Sequence, residues 1–455
     1  MKEQPKHAQS RRSRRRKRTA RYIYRYATVG ILAFAAVIVA IAARNSTPEA
    51  PRSTVTTPTA VSINKVQGAP SPNRDQASPV TPAPTPTPPP VPEKTSEPTP
   101  FVKRSAVIHS LGDFVMHDAL NRSAYSEADK SFDYTPMFEM VRHILEGSDY
   151  TVANVEGSLG GRGKEGYLTY PRFNTPPELV GNLVECGVDM LTLSNNHALD
   201  MYFDGFKKTI ETCESYGMAF VGGARTQAEH DTPVIKDING IQVGFLNYTS
   251  HTNGMEQYVS DDARRIAIYY IKYADFNSDV RALREAGAEF VIAYLHWGNE
   301  YERKENSTQR STARKLAAAG ADVIVGSHPH VTQPIAWVEA KNGKGETKRT
   351  LCAYSLGNFI SNQPERHRDT GIIFKFTIQE TAPGEFEVTD PAYIPTYYWR
   401  RGSEKTGIVA RIVSVGEWLE APPEGMNETS YKRLKQIWSE TKKLIGDKAA
   451  LVSAN

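Results

Sequence analysis

Cysteine is nearly absent: 455 residues carry only Cys186, Cys213 and Cys352. So few, and odd in number, they exclude a disulfide framework, although one bridge among them stays open. The phosphate-binding pattern G-x-x-x-x-G-K-[ST] occurs nowhere, so the chain does not drive polymer synthesis alone with a nucleotide bound in that way. No internal repeat is evident. Long apolar runs are missing as well, with one exception. Tyr26 to Ala43 is uncharged and close to the roughly 20 residues that a bilayer crossing takes.

Positive charge is plentiful only in one place. The first 25 residues hold eleven Lys or Arg against one acid, Glu3. That is +10, against +4 for the whole chain, which leaves about −6 on the remainder. The basic balance therefore describes a tail and not the body, and no nucleic-acid partner is expected. Charge before an apolar span predicts a single-pass cell-membrane protein with a cytoplasmic N-terminus and an extracellular C-terminal body. A cleaved signal peptide is the alternative, since Ala40-Ile41-Ala42 resembles a small-residue cleavage site. The expected organisation is a basic tail (1–25), a transmembrane anchor (26–43) and a disordered Pro/Thr-rich linker (44–103). At about 3.1 Å per residue in extended stretches, such a linker holds a body away from the membrane.

The body (104–400) alternates strand and helix signals, which favours an α/β class over an all-β one. Ala106–Leu111, Tyr150–Ala153, Met190–Leu193, Phe290–Leu295 and Ala321–Val325 read as strands. Pro136–Leu145, Pro177–Cys186, Phe206–Tyr216 and Ser311–Ala319 read as helices. Val234–Asn247 reads as a hairpin around Asn239-Gly240, and Pro334–Glu339 with Leu351–Tyr354 as two more strands. Residues 401–455 read as a partly helical extension without assigned chemistry.

The strands end in polar residues. Gly326-Ser327-His328-Pro329-His330 follows the most apolar run, and open α/β sheets place their sites at such carboxyl ends. Imidazoles at i and i+2 on a loop stiffened by Pro329 can converge on a metal. For that motif alone, a pair of hydrogen-bonded loop histidines is the plainer reading. Asp113, Glu156, Asn196-His197 and His296, each at another strand end, shift the balance towards a centre. Mixed imidazole and carboxylate ligands suit divalent Mn, Zn or Fe. Two such ions need a bridging carboxylate and can activate water for attack.

Six motifs stand in order: Gly112-Asp113, Asn154-Val155-Glu156, Ser194-Asn195-Asn196-His197, His296 to Tyr301, Gly326 to Val331, and Tyr354 to Phe359. Together they resemble the bacterial CapA family of capsule and poly-γ-glutamate synthesis proteins (PGA_cap domain). That family is related to calcineurin-like metallophosphoesterases. The resemblance, over about residues 104–375, implies a four-layer α/β/β/α sandwich. It implies Asp113, Glu156, Asn196, His296, His328 and His330 as metal ligands, with Glu156 bridging. His197 and Asn196 are the implied catalytic pair. Trp297, Glu300, Asn358 and Arg172 are expected to support the ligands or meet an anionic substrate, and Arg366-His367-Arg368 could give that substrate further positive partners. Two departures from the phosphoesterase pattern stand out: no His lies two residues after Asp113, and Glu replaces the usual bridging Asp.

Three functions follow as expectations. The first is an accessory subunit of a poly-γ-glutamate synthase complex, aiding elongation or export with membrane synthase partners. The second is a metal-dependent hydrolase of a phosphoester or of an amide-linked polymer. The third is a non-catalytic protein that binds an anionic envelope polymer, which needs a local basic patch on so acidic a body.

Overall fold

The computed structural model describes residues 101–453, except 164 and 404–406. The tail and anchor expected at 1–25 and 26–43, and all but the last three residues of the 44–103 linker, lie outside the described residues. Among the described residues no helix is long and apolar enough to cross a membrane.

Two mixed sheets carry the fold. The first runs in the order Gly407–Ser414, Glu385–Ser403, Thr370–Ala382, Ser105–Val115, Tyr150–Val155, Met190–Thr192, Ala219–Val221. Ser105 to Val221 forms its parallel half, and the later strands add an antiparallel half. The second sheet runs Ile335–Lys341, Thr347–Ala353, Val323–Ser327, Phe290–His296, Ile241–Thr249, Val234–Ile238. Its centre is parallel and each edge is a hairpin.

The apolar runs explain the layering. Ile108, Val152 and Met190 of the first sheet share one core with Phe245, Ile292 and Val325 of the second. The opposite face of the first sheet is covered by helices Glu178–Glu185 and Tyr202–Ser215, through Leu179, Leu183, Phe206 and Ile210. Helices Phe276–Glu285 and Ser307–Ala319 cover the second sheet's outer face through Val280, Leu283, Ala313 and Leu316. Strands buried on both faces read as continuous apolar runs, which is how these appear. Ser307–Ala319 starts at a capping box, Asn306 with Gln309, and stops at Gly320 in the left-handed region.

Some expectations change. The helix expected over Pro136–Leu145 is two short turns, Thr135–Phe138 and Arg142–Leu145. Phe138, Val141 and Ile144 are all buried at a spacing of three. The Val141 and Ile144 N–H groups donate to i−3, to Phe138 and Val141, which tightens the chain between the two turns. The first strand does not end before Asp113 but continues to Val115, with Asp113 paired to both Asn154 and Asn358. The three cysteines are buried and free. The boundary expected at 400 falls within Glu385–Ser403, and Gly407–Ser414 extends the same sheet.

Backbone approach at the strand ends depends on missing Cβ atoms. A Cβ on Gly112 would sit 2.1 Å from the Gly357 carbonyl oxygen, and one on Gly326 1.9 Å from that of Tyr354. The first contact lies in the first sheet and the second in the second, each near the carboxyl ends of the parallel strands. At the other end, Arg104 ties the sheets to each other. It donates to both oxygens of Glu380 on the first sheet (2.7 and 2.6 Å), and to Glu289 (3.0 and 2.9 Å) and the Gly240 carbonyl (2.6 Å) on the second. The guanidinium holds the Glu380 carboxyl down to about 2. A carboxylate with a lowered folded-state pKa stabilises fully above its unfolded value of about 4.3, and loses that contribution as pH falls towards 2. Glu380→Gln is thus expected to lower the Tm by several degrees at pH 7, with the gap to wild type closing between pH 4 and pH 2. Thermal denaturation across that range checks it, and a gap independent of pH would assign the loss to packing.

Candidate metal centre

The parallel strands of both sheets end at one edge. Asp113 sits in Ser105–Val115, while Glu156 follows Tyr150–Val155 and Asn196-His197 the strand Met190–Thr192. His296 ends its strand in the second sheet, and His328 and His330 follow Val323–Ser327. All seven side chains are buried. Five of them meet in two groups, Glu156 with His296 and His328, and Asp113 with Glu156 and His330. Within each group the ligand atoms lie within 4.8 Å of one another, and Glu156 belongs to both.

Glu156 is the informative member. It is 1% exposed, and among the described residues neither of its oxygens has a hydrogen-bond partner. Imidazole nitrogens surround Oε1 instead: His330 Nε2 at 3.6 Å, His296 Nε2 at 3.8 Å and His197 Nε2 at 4.0 Å. A dry carboxylate without a hydrogen bond costs several kcal/mol unless a counter-charge stands beside it, and the His330 imidazole is placed to supply one. Burial pushes its pKa up, with the Asp113 charge adding to the rise and His330 opposing it. Burial works against a charged His330 too, but the Glu156 and Asp113 carboxylates outweigh it and raise its pKa. Burial and neighbouring imidazoles hold His296 and His328 well below the usual range, so both stay neutral and keep a lone pair.

Neighbours orient each ligand. Asn154 donates to Asp113 Oδ1 (2.8 Å), and the His328 backbone N–H to Oδ2 (3.1 Å). Ser327 Oγ lies 2.9 Å from His296 Nδ1. His296 Nε2 donates to Asn196 Oδ1 at 2.7 Å, so these two candidate ligand atoms lie side by side. Asn358 Oδ1 faces His330 Nδ1 at 3.0 Å, and its amide nitrogen donates to Gln363 Oε1 and the Arg368 carbonyl. His328 and His330 both have positive φ, 94° and 58°, a conformation that L-residues keep only when surroundings impose it. The donor set and the orphaned Glu156 oxygens fit a divalent cation.

Beside this group, His197 Nδ1 pairs with Asp200 at 2.7 Å, and Phe173 closes on the imidazole edge to face at 4.8 Å. Burial opposes a charged His197, but Asp200 and Glu156 raise its pKa. The sequence reading gave no role to Asp200, to Asn253 or to Asn154, although Asn154 stands in one of its motifs. Asn253 reaches both His197 Nε2 (3.3 Å) and Asn196 (3.4 Å). His251 escaped it as well, and its ring lies 5.3 Å from His328. Asp200 left a local trace, three residues after His197. Of the remaining expected residues, Trp297 turns into the second sheet's outer core and donates to the Tyr354 carbonyl (2.9 Å). Arg172 braces the Asp200 carbonyl (2.8 Å) and pairs with Glu165 (2.9 Å). Glu300 is exposed, near enough for its charge to act on Glu156 and His330.

The family described as bacterial capsule synthesis protein PGA_cap matches residues 107–363, more than half of the chain. The chain belongs to this family. All six ordered motifs of this PGA_cap chain, from Gly112 to Phe359, fall inside the matched stretch. "PGA biosynthesis protein CapA" of Bacillus subtilis (strain 168) is 30% identical over 260 residues, 56% of this chain and 64% of that protein. "Capsule biosynthesis protein CapA" of Bacillus anthracis is 27% identical over 241 residues, 52% of this chain and 56% of that protein. The chain thus spans less than two thirds of the length of either curated relative. Among solved structures, the calcineurin-like phosphoesterase YfkN from Bacillus subtilis aligns with a TM-score of 0.40 at 17% identity, over 75% of this chain and 99% of that one.

Glu156→Gln separates the carboxylate's cost from its use. Without metal, the variant is expected to stay close to the wild-type Tm, because the desolvation cost of the carboxylate and its pairing with His330 are lost together. With Mn or Zn at about 100 times Kd, the wild type gains about 2.7 kcal/mol of stability and the variant much less. Denaturation with and without chelator checks both, and an equal loss in the two conditions would mean a purely structural glutamate.

Proposed function

We propose that this protein serves the biosynthesis of a capsule polymer of the poly-γ-glutamate kind, as a membrane-anchored envelope subunit whose extracellular body carries a divalent-metal centre. Asp113, Glu156, Asn196, His296, His328 and His330 hold the metal, with Glu156 shared between two ions. The observation that carries this reading is one of overlap. The stretch that matches the PGA_cap family, residues 107–363, is the stretch that carries every residue of the cluster. Without a P-loop motif, the chain aids elongation or export beside synthase subunits and does not polymerise alone.

A second reading, a metal-dependent hydrolase of a phosphoester or of a polymer amide bond, is favoured by His197. Asp200 fixes its Nδ1, leaving Nε2 turned towards Glu156 Oε1 at 4.0 Å. An imidazole oriented in this way can hand a proton to a leaving group at the edge of the centre. A divalent cation in this place supplies Lewis acidity. Asn253, on Nε2 in the free protein, gives way to substrate.

Elemental analysis of the full-length chain in detergent tests the centre, with wild type beside His328→Ala/His330→Ala and His197→Ala. Near-stoichiometric metal is expected in wild type and His197→Ala, and its loss in the double variant. Turnover of poly-γ-glutamate or a generic phosphodiester that falls about 100-fold or more in His197→Ala would establish the hydrolase. Metal without turnover, together with co-purifying synthase subunits, supports the accessory role. Polymer binding that survives chelation without either points to a non-catalytic binder. No metal after reconstitution with Mn or Zn overturns the centre.

A further inference from the structure

Two loops frame the H-P-H turn, and both carry arginines that the fold leaves short of partners. The loop at 301–304 is pinned by Tyr301 N–H to the Pro329 carbonyl (2.8 Å) and by Gln333 Nε2 to the Glu302 carbonyl (2.7 Å). The loop at 362–369 is pinned by Asn358, whose amide nitrogen holds the Arg368 carbonyl while its oxygen faces His330. The Arg368 guanidinium lies 3.5 Å over the Tyr301 ring, and that ring is 6.0 Å from the His330 imidazole. Its ion pair is a loose one, with Glu365 at 3.6 Å.

Arg303 is odder still. It is half-buried, its Nε is closed off from solvent, and it makes no hydrogen bond or ion pair among the described residues. Its neighbours are satisfied: Arg433 binds Asp369 through two bonds and Glu440 through a third, and Arg366 pairs with Glu440. Burial depresses the Arg303 guanidinium; the charge of Glu440, which makes no bond to it, works the other way, and Arg366 and Arg433 add to the depression. A partly dry guanidinium without a hydrogen-bonded anion is costly, and its planar donor fork suits a carboxylate.

We propose that Arg303 and Arg368 receive carboxylates of an anionic polymer lying across the mouth of the metal centre, with Tyr301 as its floor. This assignment rests on the polymer reading above and names what that polymer grips. A body of about −6 does not draw in a polyanion by its net charge, so local cations must do so. Because the two arginines stand on separate loops, a chain with a carboxylate on every residue engages both. A short acid engages one.

Calorimetric titration of the full-length chain in detergent tests this, with γ-glutamate oligomers of increasing length, inorganic phosphate and polyphosphate as probes. Affinity is expected to rise with oligomer length. Arg303→Gln and Arg368→Gln are each expected to weaken the long oligomer on the order of 10-fold. Arg303→Lys stays weak because it keeps the charge but not the fork. Arg265→Gln removes an exposed arginine paired with Asp262 and is expected to stay within about twofold. The Tm of Arg303→Gln does not fall, since no partner is lost. Variants that bind as wild type overturn the assignment, as does arginine-dependent binding of phosphate or polyphosphate without the γ-glutamate oligomer. Metal content on the same samples separates the two failures. Metal-loaded protein that ignores the oligomer sinks the arginine site alone, whereas metal-free protein that binds it through Arg303 sinks the centre alone.

Discussion

A carboxylate shut away from water demands a counter-charge, and Glu156 imposes that demand on a whole edge of the fold. Three imidazole nitrogens converge on one of its oxygens, and no hydrogen bond reaches either. Imidazoles from the second sheet and carboxylates from the first meet only because the sheets pack face to face over a shared core. The inter-sheet packing thus has a chemical consequence beyond stability, since it sets the spacing of ligands that share no strand. The two left-handed histidines cost on the order of 1–3 kcal/mol each, and contacts on both flanks hold them. The His328 N–H binds Asp113, and the Pro329 carbonyl accepts from Tyr301.

Much of this edge was legible because parallel strands buried on both faces leave a simple trace. An apolar run is followed by a polar ligand, and the run at Ala321–Val325 before Ser327-His328-Pro329-His330 is the clearest case. The structure brings Asp113, Glu156, Asn196, His197, His296, His328 and His330 together. What stayed hidden are partners that tertiary contact alone defines. Asn253 comes from a loop over 50 residues beyond His197, and Asn154 points back at Asp113 across neighbouring strands. Trp297 shows the converse, because standing next to a ligand in a strand directs a side chain to the opposite face. The broken helix near Phe138 was missed because apolar spacing of three and of 3.6 look alike over so few turns.

Charge is distributed with a purpose that net values conceal. The body is acidic as a whole, and most of its arginines are neutralised in pairs such as Arg433 with Asp369 and Arg225 with Glu214 and Glu229. Against that background, Arg303 stands out as half-buried, with its Nε closed off from solvent and no partner among the described residues.

The strands that meet at Asp113 are joined by chain segments of very different length: Asn154 lies about forty residues away, and His328 and Asn358 more than two hundred. No fragment that stops short of the second sheet can assemble either ligand group. Loop closure over such distances comes late, so the ligands converge only when the body is essentially complete. An ion bound at the proposed centre would then be drawn from whatever pool surrounds the chain as its last strands dock. Metal choice becomes a property of the place of folding as much as of the ligands.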